Sequence, residues 1–163
     1  MPTGTRTDPY RGFNFMVEID GITQAGFQEC SGLDVSTDPV DYREGTDPNH
    51  VRKLTGLNKY IPVTLKRGIT DSDELWKWRQ TVIDGKAERK NGSIVLLDEA
   101  GAEKLRWNFV SAWPSKWTGP AFNSTSNSVA IESLEITHEE LKKAQAADRP
   151  RGLQRRRRAK RRR

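Results

Sequence analysis

The sequence predicts a mainly β domain of the α+β class, a β-barrel or sandwich with one helix on its flank. Three observations carry that prediction. Apolar residues alternate with polar ones along several short runs, the period of half-buried strands. A single stretch, 70–85, has helical spacing instead. And the segment from Leu105 to Leu141 holds three of the five tryptophans, more aromatic surface than a connecting loop requires, so it reads as the closing half of the barrel. A length of 163 residues suits one domain with one core.

Residues 1–10, rich in Thr, Pro and Gly, read as a flexible N-terminal arm. Phe13, Phe15, Val17 and Ile19 alternate with polar neighbours and form the first strand. Asp20-Gly21 is a two-residue hairpin signal, which makes Ile22 to Phe27 the expected return strand. Residues 28–42 give a weaker strand reading, broken at Asp38-Pro39. Arg43 to Lys59 is polar and carries Gly45, Asp47-Pro48 and Gly56, all breakers. It reads as a long loop, either a loose insertion or a functional reach. The second alternative has Val51, Leu54 and Leu57 in its favour, because they would have no partner in an isolated loop.

Ile61, Val63 and Leu65 alternate again, with Pro62 confined to a strand start or edge. The helix follows. Thr70 is its expected cap, Asp71, Asp73 and Glu74 suit its first turn, and Leu75, Trp78, Val82 and Ile83 form its apolar stripe up to Gly85. Asn91-Gly92 reads as a turn. Ile94 to Leu97 is apolar throughout, as in a strand covered on both faces. Glu99-Ala100-Gly101 turns the chain into the strand bearing Leu105, Trp107 and Phe109, a corner is expected at Trp113-Pro114, and a polar loop leads to the last strand, Ser128 to His138. There Val129 and Ile131 have one parity and Leu134 and Ile136 the other. Either a bulge near Glu132-Ser133 shifts the register, or both faces are covered, which implies a partner.

Charge separates the chain into two parts. The net charge is +6. Residues 149–163 hold nine Arg and one Lys without an acid, so residues 1–148 carry 6 − 10 = −4. The basic balance therefore describes a disordered Arg-rich tail at 146–163, not the domain at 11–145. Such a tail contacts polyanions, nucleic acid or an acidic protein surface, through Arg155, Arg156, Arg157, Arg158, Lys160 and Arg161. The domain lacks the interleaved basic and aromatic residues of a single-strand binding surface.

Catalytic chemistry finds no support. The two histidines, His50 and His138, lie in unrelated contexts, and no nucleophile-elbow, zinc-protease or paired-cysteine motif occurs. His138-Glu139-Glu140 has half the appearance of a zinc motif but lacks the second histidine, so a strand-end hydrogen-bonding role is the simpler reading. No phosphate cradle, cofactor site or metal set is expected, and the protein is not expected to be an enzyme. Cys30 is the single cysteine, which fits folding in a reducing cytosol without a disulfide framework. No secretory signal or membrane anchor is expected.

Several short stretches, in order, resemble the tail-tube protein family of contractile-tailed phages and extracellular contractile injection systems. They are Pro9-Tyr10-Arg11-Gly12-Phe13-Asn14-Phe15, Val17 to Gly21, Glu29-Cys30-Ser31-Gly32-Leu33, Tyr42-Arg43-Glu44-Gly45, Lys53-Leu54 with Gly56-Leu57, Leu65 to Ile69, the helix with Leu75, Trp76 and Trp78, Trp113-Pro114, Trp117 to Pro120, Ile131 to Ile136, and His138 to Leu141. Glu140 stands where the family often has Gly, and the Arg-rich tail is an addition to the pattern. The resemblance implies a structural subunit of the inner tube, like the ring protein of the related secretion system. Six copies would form a homohexameric ring, and rings would stack into a tube with a central channel for cargo protein or DNA. A contractile sheath and baseplate or spike components would be partners. The protein would be made in the cytoplasm and end in a phage tail or injection particle. With it come two expected contacts: between rings through Arg43, Asp47, His50, Val51, Arg52, Leu54 and Leu57, and within a ring through Val129, Ile131, Leu134 and Ile136. Two alternatives stand beside this reading: a nucleic-acid-binding protein acting through its tail, and a secreted ring or carrier subunit.

Overall fold

A computed structural model of the chain describes residues 9–12, 14–22 and 26–145. The expected N-terminal arm lies mostly, and the Arg-rich tail wholly, outside the described residues. Among the described residues the strands are β1 (Phe15–Ile19), β2 (Glu29–Ser31), β3 (Val35–Tyr42), β4 (Arg52–Tyr60), β5 (Val63–Gly68), β6 (Lys90–Leu97), β7 (Glu103–Thr118), β8 (Ile131–Thr137) and β9 (Glu140–Gln145), with one helix, α1 (Glu74–Ile83), after β5.

Seven strands form one sheet in the order β1-β6-β7-β8-β5-β2, with β9 also paired to β7. The 16-residue β7 is its spine. Its first half pairs with β6 on one side and β9 on the other, and its second half pairs with β8. The sheet therefore has two halves, β1-β6-β7-β9 and β7-β8-β5-β2, hinged on β7. The hinge is Ser111, at φ 52, a conformation few side chains adopt. It reverses the inward parity of β7: Phe109 is buried before it, Ala112 and Pro114 after it. The corner expected at Trp113-Pro114 is thus at Ser111. Opposite it, β8 gives way to β9 at His138-Glu139, whose Glu139 amide donates to the Val110 carbonyl at 3.1 Å.

One core lies between the halves. Val17, Ile19, Ile94, Phe109 and Leu141 come from one half, Val63, Leu65, Leu134 and Ile136 from the other, and Leu75 and Trp78 from α1. The Trp78 indole N–H reaches the Glu88 carbonyl at 2.7 Å, so its polar atom is satisfied inside the core. This is the mainly β fold with one flanking helix that the sequence predicts, but the sheet is open. Among the described residues its terminal strands β1 and β2 do not pair with each other, so the barrel is not closed.

Four further local expectations need correction. The return strand after Asp20-Gly21 does not form among the described residues beyond an isolated bridge from Ile19 to Ile22; β1 pairs with β6 instead. The second part of the expected loop 43–59, from Arg52 on, is strand β4, paired with β3. The helix begins at Glu74 with Asp73 at its cap position and no side-chain capping bond, so Thr70 is not the cap. Asn91-Gly92 is not a turn but part of β6, where Gly92 lies opposite Phe109 beside a bulge. Elsewhere Pro62 precedes β5, β3 runs on through Asp38-Pro39 with a register shift in place of the expected break, and the turn before β7 is closed by Asp98, whose carboxylate accepts the amides of Ala100 and Ala102. Those bonds hold the Asp98 carboxyl below its usual range.

Candidate assembly surfaces

Strands β3 and β4 form a two-stranded arm. Cys30 lies opposite Leu65, and Val35 opposite Tyr60, so the arm continues the β2–β5 ladder in the same register. At the joint, Gly32 sits at φ +88 with its Cα so close to the Pro62 carbonyl that a Cβ would stand 2.2 Å from the oxygen. Only glycine fits there. The Ile61 amide donates to the Asp34 carbonyl across the same joint. The arm therefore leaves the body at the Val63 end of β5 and runs away from Gly68. Eight residues of β3 reach about 25 Å at strand rise.

Both faces of the arm mix apolar and charged side chains. Pairing places Val40 beside Leu54 and Tyr42 beside Arg52 on one face, and Val35 beside Tyr60 on the other. Each face also carries an ion pair, Asp38–Lys59 on the side of Val40 and Asp41–Lys53 on the side of Val35. Tyr60 packs at the margin of the core, whereas Val35, Val40, Tyr42, Val51 and Leu54 are exposed, and Leu57 beside the bulge is 78% exposed. The tip is a polar knot. The Asp47 carboxylate accepts the Glu44 amide and pairs with Arg52, and the Arg43 guanidinium donates to the carbonyls of Asp47 and Pro48. His50 is exposed in the same turn. The structure thus gathers Arg43, Asp47, His50, Val51, Arg52, Leu54 and Leu57 on one projection.

The second surface is a pair of open edges. In the half-sheet β1-β6-β7-β9 every neighbouring pair is antiparallel. Among the described residues β1 pairs only with β6, apart from the bridge at its end, and β9 only with β7. Unpaired edges are sites for adding another chain's strand. Alternation makes β1 and β9 opposite in direction, so β1 of one copy can join β9 of another as a further antiparallel pair. The face of this half-sheet away from the core carries Met16, Val95, Arg106 and Ala144 in one row and Glu18, Ser93, Asn108 and Lys142 in the next. Arg106 is only 1% exposed. Its guanidinium donates to Glu103 at 2.6 Å, to Ser93 at 3.1 Å and to Glu18 at 3.3 Å. The Glu103 bond, assisted by Glu18, holds its pKa above the ordinary arginine value. That hub, invisible as a motif, ties three strands together on a face the sequence offered no reason to single out.

The four residues expected at a seam are divided. Leu134 and Ile136 are buried in this chain's own core, so their side chains are not free to meet a neighbour, whereas Val129 and Ile131 are exposed. The alternative of a bulge inside β8 is not needed: β8 pairs with β5 without a register shift. His138 is buried at the hinge between Tyr60 and Phe109, and its Nε2 donates to the Ile61 carbonyl at 3.1 Å. Burial holds its pKa below the ordinary histidine value, partly opposed by backbone hydrogen bonds. It is a neutral structural residue at pH 7. Cys30, beside Glu29, has its thiol pushed up to about 12, chiefly by burial, the opposite of a nucleophile's setting. Among the described residues no cluster of three His, Cys, Asp or Glu is placed to hold a metal, and no helix is long and apolar enough to cross a membrane.

A family model described as the T4-like virus tail tube protein gp19 matches residues 11–142. The chain belongs to the tail tube family. It is similar to a chain of the PVC sheath–tube complex, an extracellular contractile injection system in its extended state, at 27% identity and TM-score 0.75, over 84% of this chain and 92% of that one. A chain of the anti-feeding prophage baseplate, solved with six-fold symmetrisation, shares the fold at 22% identity and TM-score 0.76, over 86% and 99%. Hcp1 from Flavobacterium johnsoniae shares it more distantly, at 18% identity and TM-score 0.51, over 80% and 95%. No curated protein sequence matches. The tail tube protein is therefore a structural subunit of a contractile tail or injection particle, and its family is described by that structural role rather than by a catalytic one.

Proposed function

We propose that six copies of this tail tube protein close into a ring through their β1 and β9 edges, and that rings stack through the β3–β4 arm into a tube. The observation that carries this reading is the four-stranded half-sheet with both edges open. Strands alternate in direction across it, so the same pairing repeats from copy to copy until the ring closes. Six-fold symmetry in the anti-feeding prophage baseplate supports six as the copy number, and the PVC relative comes from a sheath–tube complex, which supports a sheath outside and a baseplate at one end as partners.

In this ring the half-sheet forms the channel wall. Its Arg106 is already engaged by Glu18 and Glu103, so the wall does not present that charge to cargo. Charge for acidic cargo protein or DNA comes instead from the tail residues Arg155, Arg156, Arg157, Arg158, Lys160 and Arg161. They follow β9 and lie outside the described residues. The particle is a phage tail or an injection system, assembled from subunits made in the cytoplasm. A nucleic-acid-binding role through the tail alone predicts no ordered assembly, and a secreted ring or carrier predicts rings that never stack.

Negative-stain microscopy of the purified full chain, beside a variant lacking 46–56, tests the reading. The full chain is expected to form tubes. The shortened arm, which loses Asp47, His50, Val51, Arg52 and Leu54, is expected to give soluble rings that do not stack. Full-length tubes from that variant would overturn the role of the arm, and monomers from the full chain would overturn the ring.

A further inference from the structure

We infer that the end of the body opposite the arm, built from Ile69, Val129 and Ile131 with Phe122 in the same connection, receives the Val40–Leu54 face of the arm from a copy in the next ring. The inference rests on the tube reading above and names the arm's docking partner. The β2–β5 ladder fixes its geometry. The arm leaves from the Val63 end of β5 and continues that ladder outward. At the Gly68 end, Gly68 pairs with Ile131 and the Ile69 amide donates to the Ala130 carbonyl at 3.1 Å. A Cβ on Gly68 would lie 3.7 Å from Val129. Ile69, Val129 and Ile131 therefore share one end of the molecule and the arm projects from the other. Contact between opposite ends of identical copies is heterologous and repeats along an axis without closing, the symmetry of a stack.

The two surfaces match in chemistry. Phe122 is 83% and Val129 75% exposed, with Ile69 and Ile131 also open; the arm offers exposed Val40, Tyr42 and Leu54 on one face. The connection 119–130 contains no charged residue, so no ion has to be desolvated to cover it. Beside it, Asp71 has no ion-pair partner among the described residues, and Arg43 at the arm's tip meets only backbone carbonyls. These are two unpaired charges of opposite sign at opposite ends. The receiving end is also braced. Buried Arg67 binds Glu132 of β8 at 2.6 Å and the Ser72 carbonyl at 3.1 Å, clamping the segment after β5 onto the sheet. Of the other exposed apolar residues, Trp76 already meets Trp117 edge to face at 5.3 Å, and Ile83 stands at the far end of α1.

Disulfide trapping in the assembled full chain tests this. With Cys30→Ala as background, Leu54→Cys or Val40→Cys is combined with Val129→Cys, and tubes are oxidised and run on a non-reducing gel. The two ends of one copy are too far apart to join, so a bond links copies. Expected is a ladder of covalent multimers passing beyond six subunits, with each single-cysteine chain giving at most dimers. In parallel, Val129→Asp, at a side chain too exposed to govern folding, is expected to yield rings that do not stack. If tubes form and neither arm position gives a ladder with Val129→Cys, or if Ile83→Cys gives the ladder in its place, the docking surface is wrong and the tube reading stands. If the parent chain forms no tubes, both fall.

Discussion

Replacing Gly92 with alanine tests how the two sides of β6 meet. A Cβ at this position would lie 2.4 Å and 2.8 Å from two ring carbons of Phe109 and 2.6 Å from the Glu18 carbonyl oxygen. Ordinary contact begins near 3.4 Å, so the ring or two strands must shift by roughly 1 Å, well beyond thermal adjustment in a close-packed interior. Phe109 cannot swing away, because it is 1% exposed and central to the core. Overpacking of this kind costs about 1–3 kcal/mol, and a clash against both ring and backbone puts Gly92→Ala near about 3 kcal/mol. For a chain of this size that lowers Tm by roughly 6–12 °C. The assay is thermal unfolding by circular dichroism at one protein concentration, since assembly shifts Tm by mass action. Phe109→Leu removes the nearest ring atoms, so its cost is expected to fall when Gly92→Ala is already present, a coupling of at least about 0.5 kcal/mol. A Gly92→Ala chain within 1 °C of the parent, or strictly additive costs, would refute the close-approach argument.

Three further outcomes follow from the same structure. Burial holds the His138 pKa in the folded chain below the 6.5 of the free side chain; stability is then complete above about pH 6.5 and declines as pH falls through that value toward the folded pKa. The parent is expected to lose more stability than His138→Asn between pH 7 and 5, and parallel slopes would count against it. The Cys30 thiol, raised to about 12, is expected to react with a thiol reagent at pH 8 at least about tenfold more slowly in the native protein than in urea, and equal rates would contradict its burial. Glu103→Gln, which weakens the tie on buried Arg106, is expected to destabilise by about 1–3 kcal/mol, whereas Lys142→Gln, whose ion pair with Glu140 is exposed, is expected to change stability by less than about 1 kcal/mol.

Much of the body was legible because its strands alternate cleanly. Val17, Ile19, Val63 and Leu65 advertise one buried face each, and Leu75 with Trp78 marks the helix. The arm was hidden for a physical reason. Its strands bury little in this chain, so β4 carries Arg52, Lys53, Asn58 and Lys59 with no inward face, and selection for solubility and for a partner leaves no period-two signal. Gly92 misled because Asn-Gly commonly marks a turn, while here glycine yields space to Phe109, a partner distant in sequence. Ser111 was unreadable for the opposite reason: nothing local demands its positive φ, which the sheet imposes by turning its spine. The barrel expectation failed at its edges, since a single chain's strands do not reveal whether β1 and β2 meet. The parity break across Val129–Ile136 did point to a partner-facing surface, but two of its four residues, Leu134 and Ile136, belong to the core.

The central claim is that β1 and β9 are the seam of the ring. Cryo-electron microscopy of tubes assembled from the full chain measures it directly. The expected map shows β1 of each copy hydrogen-bonded antiparallel to β9 of its neighbour, four strands per copy forming an unbroken channel wall, and the β3–β4 arms crossing the ring boundary. A map in which these two edges remain unpaired, with copies joined through the helix α1 or the β2 edge instead, would contradict the account.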